Sequence, residues 1–131
     1  MSKKDKIKHR VKLDGTEMFY RNHILHREDG PALIHKDGKL EWFNNGIRHR
    51  DNGPAVIGPK GIYERWYKNG LFHRTDGPCH ITYDSKKNII NRSWYINGKN
   101  ITKEVEKWLK LRKYKYPFTP EIQFEFILMF G

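Results

Sequence analysis

The sequence is short of the features that usually announce a chemistry. Its 131 residues include one cysteine, Cys79, so no intramolecular disulfide framework is available and a reducing, cytoplasmic setting is expected. No run of 18 apolar residues occurs, which excludes a hydrophobic membrane-spanning helix, and the basic N-terminus lacks the apolar stretch of a signal peptide. There is no Cys-x-x-Cys, no His-Glu-x-x-His and no glycine-rich phosphate loop. Acidic residues are scarce beside basic ones, 15 against 26, for a net charge of +11. Hydrophobic residues reach only 37%, yet aromatics make up 14%, more than a disordered chain carries, and the length suits one domain.

The positive charge is concentrated at two flanks. Residues 1–12 carry a net +5 and residues 99–116 another +5, whereas the long middle is nearly balanced and residues 117–131 are acidic through Glu121 and Glu125. Such flanks attract phosphates or acidic protein surfaces over about 8 Å at physiological salt, or they serve as solvated ends for an aromatic-rich body.

What the chain does have is a repeat. His26-Arg27-Glu28-Asp29-Gly30-Pro31-Ala32 aligns with His49-Arg50-Asp51-Asn52-Gly53-Pro54-Ala55 and with His73-Arg74-Thr75-Asp76-Gly77-Pro78-Cys79. A second block runs in phase with it: Trp42-Phe43-Asn44-Asn45-Gly46, Trp66-Tyr67-Lys68-Asn69-Gly70 and Trp94-Tyr95-Ile96-Asn97-Gly98, with Phe19-Tyr20-Arg21-Asn22-His23 as a degenerate first copy. A period in the low twenties predicts stacked supersecondary units. Asn-Gly supplies the positive φ angles of a two-residue hairpin turn, so the first copy, with His23 in place of glycine, is expected to turn more loosely or differently. In Asx-Gly-Pro the glycine bends and the proline opens a strand. The fold class predicted is mainly β: a meander of repeated antiparallel hairpins over 13–98, preceded by a basic arm (1–12) and closed by a C-terminal cap (99–131).

Residues 14–98 resemble the MORN-type repeat family, in the divergent form with His-Arg-x-Asp-Gly-Pro-Ala and Trp-Tyr-x-Asn-Gly blocks that occurs in large DNA viruses, phages and some bacteria. The resemblance implies a non-enzymatic binding or scaffolding array. It also implies a virus or phage setting, as a virion component or a blocker of a host factor.

Alternation along a strand puts Trp42, Trp66 and Trp94 on one face and Phe43, Tyr67 and Tyr95 on the other. The tryptophans are expected inward, as a shared buried row, with Tyr67 and Tyr95 lining a partly open face. Arg27, Arg50 and Arg74 form a second row, paired locally with Asp29, Asp51 and Asp76 or free to grip an acidic ligand. His26, His49 and His73 recur two strands apart, about 9–10 Å, too far to share an ion that needs its ligands about 2.0–2.1 Å away. Each is expected to stack on the next copy and bond a backbone carbonyl. Cys79 falls where the other copies have alanine, which makes it a small buried residue. Asp84–Asn88 reads as a longer hairpin tip. No catalytic residue, cofactor or metal is assigned.

Past Asn97-Gly98 the positions due for His-Arg hold Ile101-Thr102. A helix is expected over about 103–113, with Thr102 as N-cap and Ile101, Val105, Trp108 and Leu109 on the inner face. Lys103, Lys107 and Lys110 occupy the outer face as candidate contacts for an acidic partner. Residues 120–130 begin like a helix at Thr119-Pro120 but alternate like a strand at Ile122–Phe126; helix is preferred. The apolar run Phe126–Phe130 is expected to be buried on the cap or in a partner, a second copy included. A protein partner is therefore the first functional expectation. Nucleic acid, held by the basic flanks and stacked on exposed aromatics, is the alternative.

Overall fold

The computed structural model describes residues 6–131; residues 1–5 of the basic arm lie outside the described residues. The structure opens with β1 (Lys8–Val11), an exposed strand that includes the second half of that arm. The first copy contributes β2 (Glu17–Arg21), β3 (Ile24–Leu25) and β4 (Leu33–Ile34). The second contributes β5 (Leu40–Glu41), β6 (Phe43–Asn44), β7 (Ile47–Arg48) and β8 (Val56–Ile57). The third has β9 (Tyr63–Arg65), β10 (Tyr67–Lys68), β11 (Leu71–Phe72) and β12 (His80–Tyr83). The fourth has β13 (Ile89–Ser93), β14 (Tyr95–Ile96) and β15 (Lys99–Asn100), followed by α1 (Thr102–Arg112) and α2 (Pro120–Phe130). The molecule is a mainly β array of antiparallel hairpins with a helical cap.

Nine strands form one antiparallel sheet in the order β1-β2-β4-β5-β8-β9-β12-β13, with β3 beside β2. The pairs β6–β7, β10–β11 and β14–β15 stand apart as two-stranded hairpins. The block aromatic marks the point where a strand leaves the sheet and enters its hairpin. Trp42 donates its N–H to the Ala55 carbonyl at 2.7 Å, and its own carbonyl accepts from His49 at 3.3 Å. Phe19 and Trp66 do the same with Ala32 and His26, and with Cys79 and His73. The backbone groups freed by the change of partner are thereby satisfied.

Each Asn-Gly hairpin turns through two residues at positive φ: Asn45 (48°) and Gly46 (80°), Asn69 (50°) and Gly70 (83°), Asn97 (46°) and Gly98 (83°). The first copy was expected to differ and does not; Asn22 (52°) and His23 (64°) take the same left-handed pair. The reason lies in the neighbours. A Cβ on Gly46 would stand 2.8 Å from Ile24 Cγ2, and one on Gly70 3.0 Å from Ile47 Cγ2. Each turn thus rests on the preceding hairpin, but the first hairpin has no predecessor, so His23 has room for a side chain.

The hairpins are joined by a set of three hydrogen bonds that recurs at every junction. The turn glycine donates to the preceding hairpin: Gly46 to the Leu25 carbonyl (2.8 Å), Gly70 to Arg48 (2.9 Å), Gly98 to Phe72 (2.8 Å). The turn asparagine donates its backbone N–H to the preceding histidine Nδ1, at 2.9 Å in all three cases: Asn45 to His26, Asn69 to His49, Asn97 to His73. The arginine after each histidine donates its N–H to the next copy, Arg27 to Phe43, Arg50 to Tyr67 and Arg74 to Tyr95. The histidines therefore accept from an amide and do not bond a carbonyl as expected. Their proton sits on Nε2.

At the fourth copy the repeat is closed by helices. Trp94, Ile101, Val105, Trp108, Leu109 and Phe126 make one buried cluster, with Tyr116, Phe118 and Phe130 packed against it. Helix α1 begins one residue earlier than expected. Thr102 is not its N-cap: the hydroxyl of Thr102 accepts from the Trp94 N–H at 2.9 Å and donates to Asn100 at 2.6 Å, fastening the helix to the last strand. Helix α2 forms as preferred, with Thr119 accepting from the Ile122 N–H and proline in the first turn. The apolar run divides between two environments. Phe126 is buried and Phe130 half-buried on the cap, whereas Ile127, Leu128 and Met129 are exposed, so the cap covers only part of the run.

The turn geometry sets a pair of opposite outcomes. His23→Gly is expected to stabilise the chain by about 0.5–1 kcal/mol by relieving a left-handed non-glycine residue. Gly46→Ala is expected to cost about 1–2 kcal/mol, from the same φ penalty plus the contact with Ile24. Urea denaturation of the two variants measures both.

Candidate binding surfaces

The arginine row is real, and its guanidinium groups are already engaged. Arg27 lies 3.7 Å over the Phe19 ring, Arg50 4.0 Å over Trp42 and Arg74 3.7 Å over Trp66. Each also donates from Nη1 to the proline carbonyl of its own loop, at 3.1, 3.1 and 3.0 Å to Pro31, Pro54 and Pro78. Such a stack stabilises by about 0.5–2 kcal/mol depending on its burial. The arginine can lie flat because the loop glycine has no side chain. A Cβ on Gly30, Gly53 or Gly77 would stand 3.0, 2.6 or 2.7 Å from the guanidinium carbon. These three glycines are absent from the positive-φ residues, so they serve as space and not as bends.

This geometry corrects the expectation of a shared buried row of indoles. Trp42 and Trp66 are half-buried, each roofed by its own arginine, and only Trp94 is fully buried. Trp94 has no arginine in its loop; Phe118 takes that place, stacked at 5.7 Å and 14°. On the opposite face Phe43 is the buried member, with Tyr67 and Tyr95 half-buried. Tyr67 packs on Phe72 at 4.6 Å, and Tyr95 on Phe72 and His80 at 5.2 and 4.8 Å.

Carboxylates divide the arginines. Arg27 pairs with Asp29 at 3.0 Å and Arg74 with Asp76 at 2.7 Å. In the second copy Asn52 holds that position and Asp51 turns to His49 at 2.8 Å, so among the described residues no carboxylate lies within 4.0 Å of Arg50. Clefts of about 700 and 300 Å³ open between successive loops, floored by Trp42 and Trp66. Each contains aspartates as well as arginines, so neither is a purely cationic groove. Lys103, Lys107 and Lys110 are exposed along α1, as expected. Tyr67 shares the smaller cleft with Arg50 and Arg74, whereas the lysines of α1 line neither cleft.

The remaining polar side chains inside the array are structural. Glu41 is buried; burial works against its charge, but bonds from His35 (2.6 Å) and Arg48 (2.8 and 3.0 Å) outweigh it and hold its carboxyl below the usual range. Glu106 is likewise held down by Arg92 and the Trp94 indole, against the effect of burial. The Cys79 thiol is fully buried, bonded to the Trp66 carbonyl and pushed up by burial to about 11, so it is inert at neutral pH. Sequence reasoning passed over Glu41, Arg48 and Arg65. All three are charged residues at positions that are apolar in another copy, and that break in the pattern was the available signal.

Two outcomes follow for the folded state. Gly53→Ala is expected to cost about 1–2 kcal/mol by lifting Arg50 off Trp42. In an Arg50→Ala background the same change is expected to be nearly neutral, which a double-mutant cycle by thermal denaturation checks. The second concerns pH. Burial, reinforced by Arg65, depresses His80 to about 4, and burial with Lys68 lowers His73. Both shifts favour the neutral ring in the folded state, so their stabilisation is present above pH 6.5 and falls away as the pH drops, for His80 toward 4. For His80 the loss is about 2 kcal/mol by pH 4.5, allowing for partial exposure. His80→Phe is expected to flatten that part of the stability profile.

Comparison of the chain with protein-family models, with curated proteins and with solved structures found no match.

Proposed function

We propose that the chain is a non-enzymatic, MORN-like binding module whose helical cap docks on an acidic protein surface. The observation that carries this reading is the ridge on α2. Phe124, Ile127, Leu128 and Met129 are 64%, 42%, 70% and 57% exposed on an 11-residue helix. Phe124, Ile127 and Leu128 follow i, i+3, i+4 spacing, so they form one stripe. Side chains this large are ordinarily covered, and each contributes about 1.5–3 kcal/mol when a partner buries it. The neighbouring helix supplies the choice of partner. Its outer face presents Lys103, Lys107 and Lys110, which favour an apolar patch rimmed by carboxylates; Arg112 of its last turn already pairs with Glu125 at 3.4 Å.

Support for a binding role, and against catalysis, comes from how the array uses its chemistry. The histidines hold junctions, the arginines roof aromatics and the cysteine is buried, so the reactive side chains are structural partners. The resemblance of the repeats adds a viral or phage context, in which such a module would attach within a virion or occupy a host factor.

The test is affinity capture from host lysate at two salt concentrations, with sedimentation of the purified chain alongside. Wild type is expected to retain a specific protein; Leu128→Asp weakens retention at least tenfold and Lys107→Glu/Lys110→Glu weakens it mainly at low salt. A wild-type dimer that Leu128→Asp dissociates would identify the occupant as a second copy and overturn the acidic-partner reading. Oligonucleotide binding that falls steeply with salt and ignores Leu128→Asp would instead favour the nucleic-acid alternative.

A further inference from the structure

The open face of the sheet breaks the repeat at one place. Across the copies the residue before the block aromatic is Met18, Glu41, Arg65 and Ser93, and the residue before the junction histidine is Leu25, Arg48 and Phe72. Only where the second copy meets the third do two arginines occur. They line one pocket of about 250 Å³ together with Lys39, Tyr63 and Tyr67, and with Glu41 in its wall. This pocket lies away from the cap ridge, and nothing about it depends on the partner assigned there.

Its charge is not balanced internally. Glu41 is the pocket's one carboxylate, and it is consumed by the fork of Arg48 and by His35. Among the described residues Arg65 and Lys39 have no carboxylate within 4.0 Å, because the adjacent Glu64 faces the other way, toward the Trp66 indole and the Tyr83 hydroxyl. The pocket is therefore about two charges positive. Its two arginines are also fixed in place. Arg65 lies 4.8 Å over the Tyr63 ring and donates to the Glu64 carbonyl at 3.2 Å, while Arg48 is locked on Glu41 and lies 5.7 Å from the Tyr67 centroid. The uncompensated charge is felt on both sides: Arg65 and Arg48 act on the Tyr67 phenol, opposing the rise that burial causes, and Arg65 adds to the depression of His80.

We propose that this pocket binds a phosphate group, free or as a monoester, between Arg65, Lys39 and the Tyr67 hydroxyl, with Arg48 as a fixed background charge. Two uncompensated charges match a dianion. Donors arriving from before β5, from β9 and from β10 suit the spread oxygens of a tetrahedral anion better than the single plane of a carboxylate. The rings of Tyr63 and Tyr67 leave an apolar wall for the organic part of a monoester. The site is unrelated to the arginine row, whose guanidinium groups are stacked and bonded elsewhere.

The experiment is an amide and side-chain NMR titration of the full chain with inorganic phosphate and with phenyl phosphate, against sodium chloride at matched ionic strength. Saturable shifts centred on Arg48, Arg65 and Tyr67 are expected. Tighter binding of phenyl phosphate identifies a monoester as the ligand, and equal or tighter binding of inorganic phosphate identifies the free anion. Arg65→Gln is expected to weaken binding at least tenfold and Lys39→Gln several-fold, with Lys86→Gln unchanged; should Arg65→Gln unfold, Lys39→Gln alone decides. Shifts that do not saturate, that chloride reproduces, or that survive Lys39→Gln unaltered would overturn the assignment.

Discussion

The structure depends on a lone pair. Each junction histidine offers Nδ1 to the backbone N–H of the next turn's asparagine, and that bond ties one hairpin to the following one at a point where neither can satisfy itself. A two-residue turn at positive φ points its amides outward, and an isolated hairpin would leave them to water. Here the asparagine amide goes to a histidine and the glycine amide to a carbonyl of the same preceding copy. The arginine backbone completes the set. Because all three bonds run between copies, a hairpin gains most of its order from its neighbours, which is the thermodynamic character of a repeat array.

The same logic explains how the array stops. The position that would hold the next histidine is Ile101, whose N–H still bonds the Trp94 carbonyl but whose side chain turns into the cap cluster. The position that would hold the arginine is Thr102, so the last indole lacks the close roof of the other copies and has only Arg92, at 5.8 Å from its centroid. Phe118 stacks in its stead and the indole N–H goes to Glu106 at 2.7 Å. A half-buried tryptophan roofed by its arginine becomes a fully buried one at the single copy that has no successor. The cap also reaches back to the third loop, where Tyr116 accepts from Arg74 and Gln123 donates to the Thr75 carbonyl, so two loops at this end are fixed.

Much of this was legible in the residues. The period, the Asn-Gly turns, the strands opening after proline, the inner face of α1 and the small buried character of Cys79 all follow from local rules. What covers a side chain does not. Alternation separates Trp42 from Phe43 but is silent on which face has a lid, and here Trp42 and Trp66 are each covered by an arginine eight residues ahead. The loop glycine was misread for a related reason: a glycine before proline reads as a bend, whereas its role is a distance to a guanidinium group known only in three dimensions. The first turn was misjudged because the need for glycine comes from the preceding hairpin and not from φ alone. On α2, composition alone could not show which apolar side chains face the cap and which face out.

Repetition also constrains where function can reside. A side chain that recurs in every copy is under the same structural demand in every copy, and in this chain those demands absorb the histidines, the arginines and the loop carboxylates. Capacity to engage something else is left to residues that depart from the pattern. Arg50 departs by losing its carboxylate to Asn52, Arg48 by standing where other copies have Leu25 and Phe72, Arg65 by standing where they have Met18, Glu41 and Ser93, and the cap by not being a copy at all. The cationic helix face and apolar ridge of the cap are the largest such departure, and the pocket at Arg65 is the most localised. The two lie on different parts of the molecule and differ in chemistry: a run of lysines beside exposed apolar side chains in one case, two uncompensated cations in a small pocket in the other.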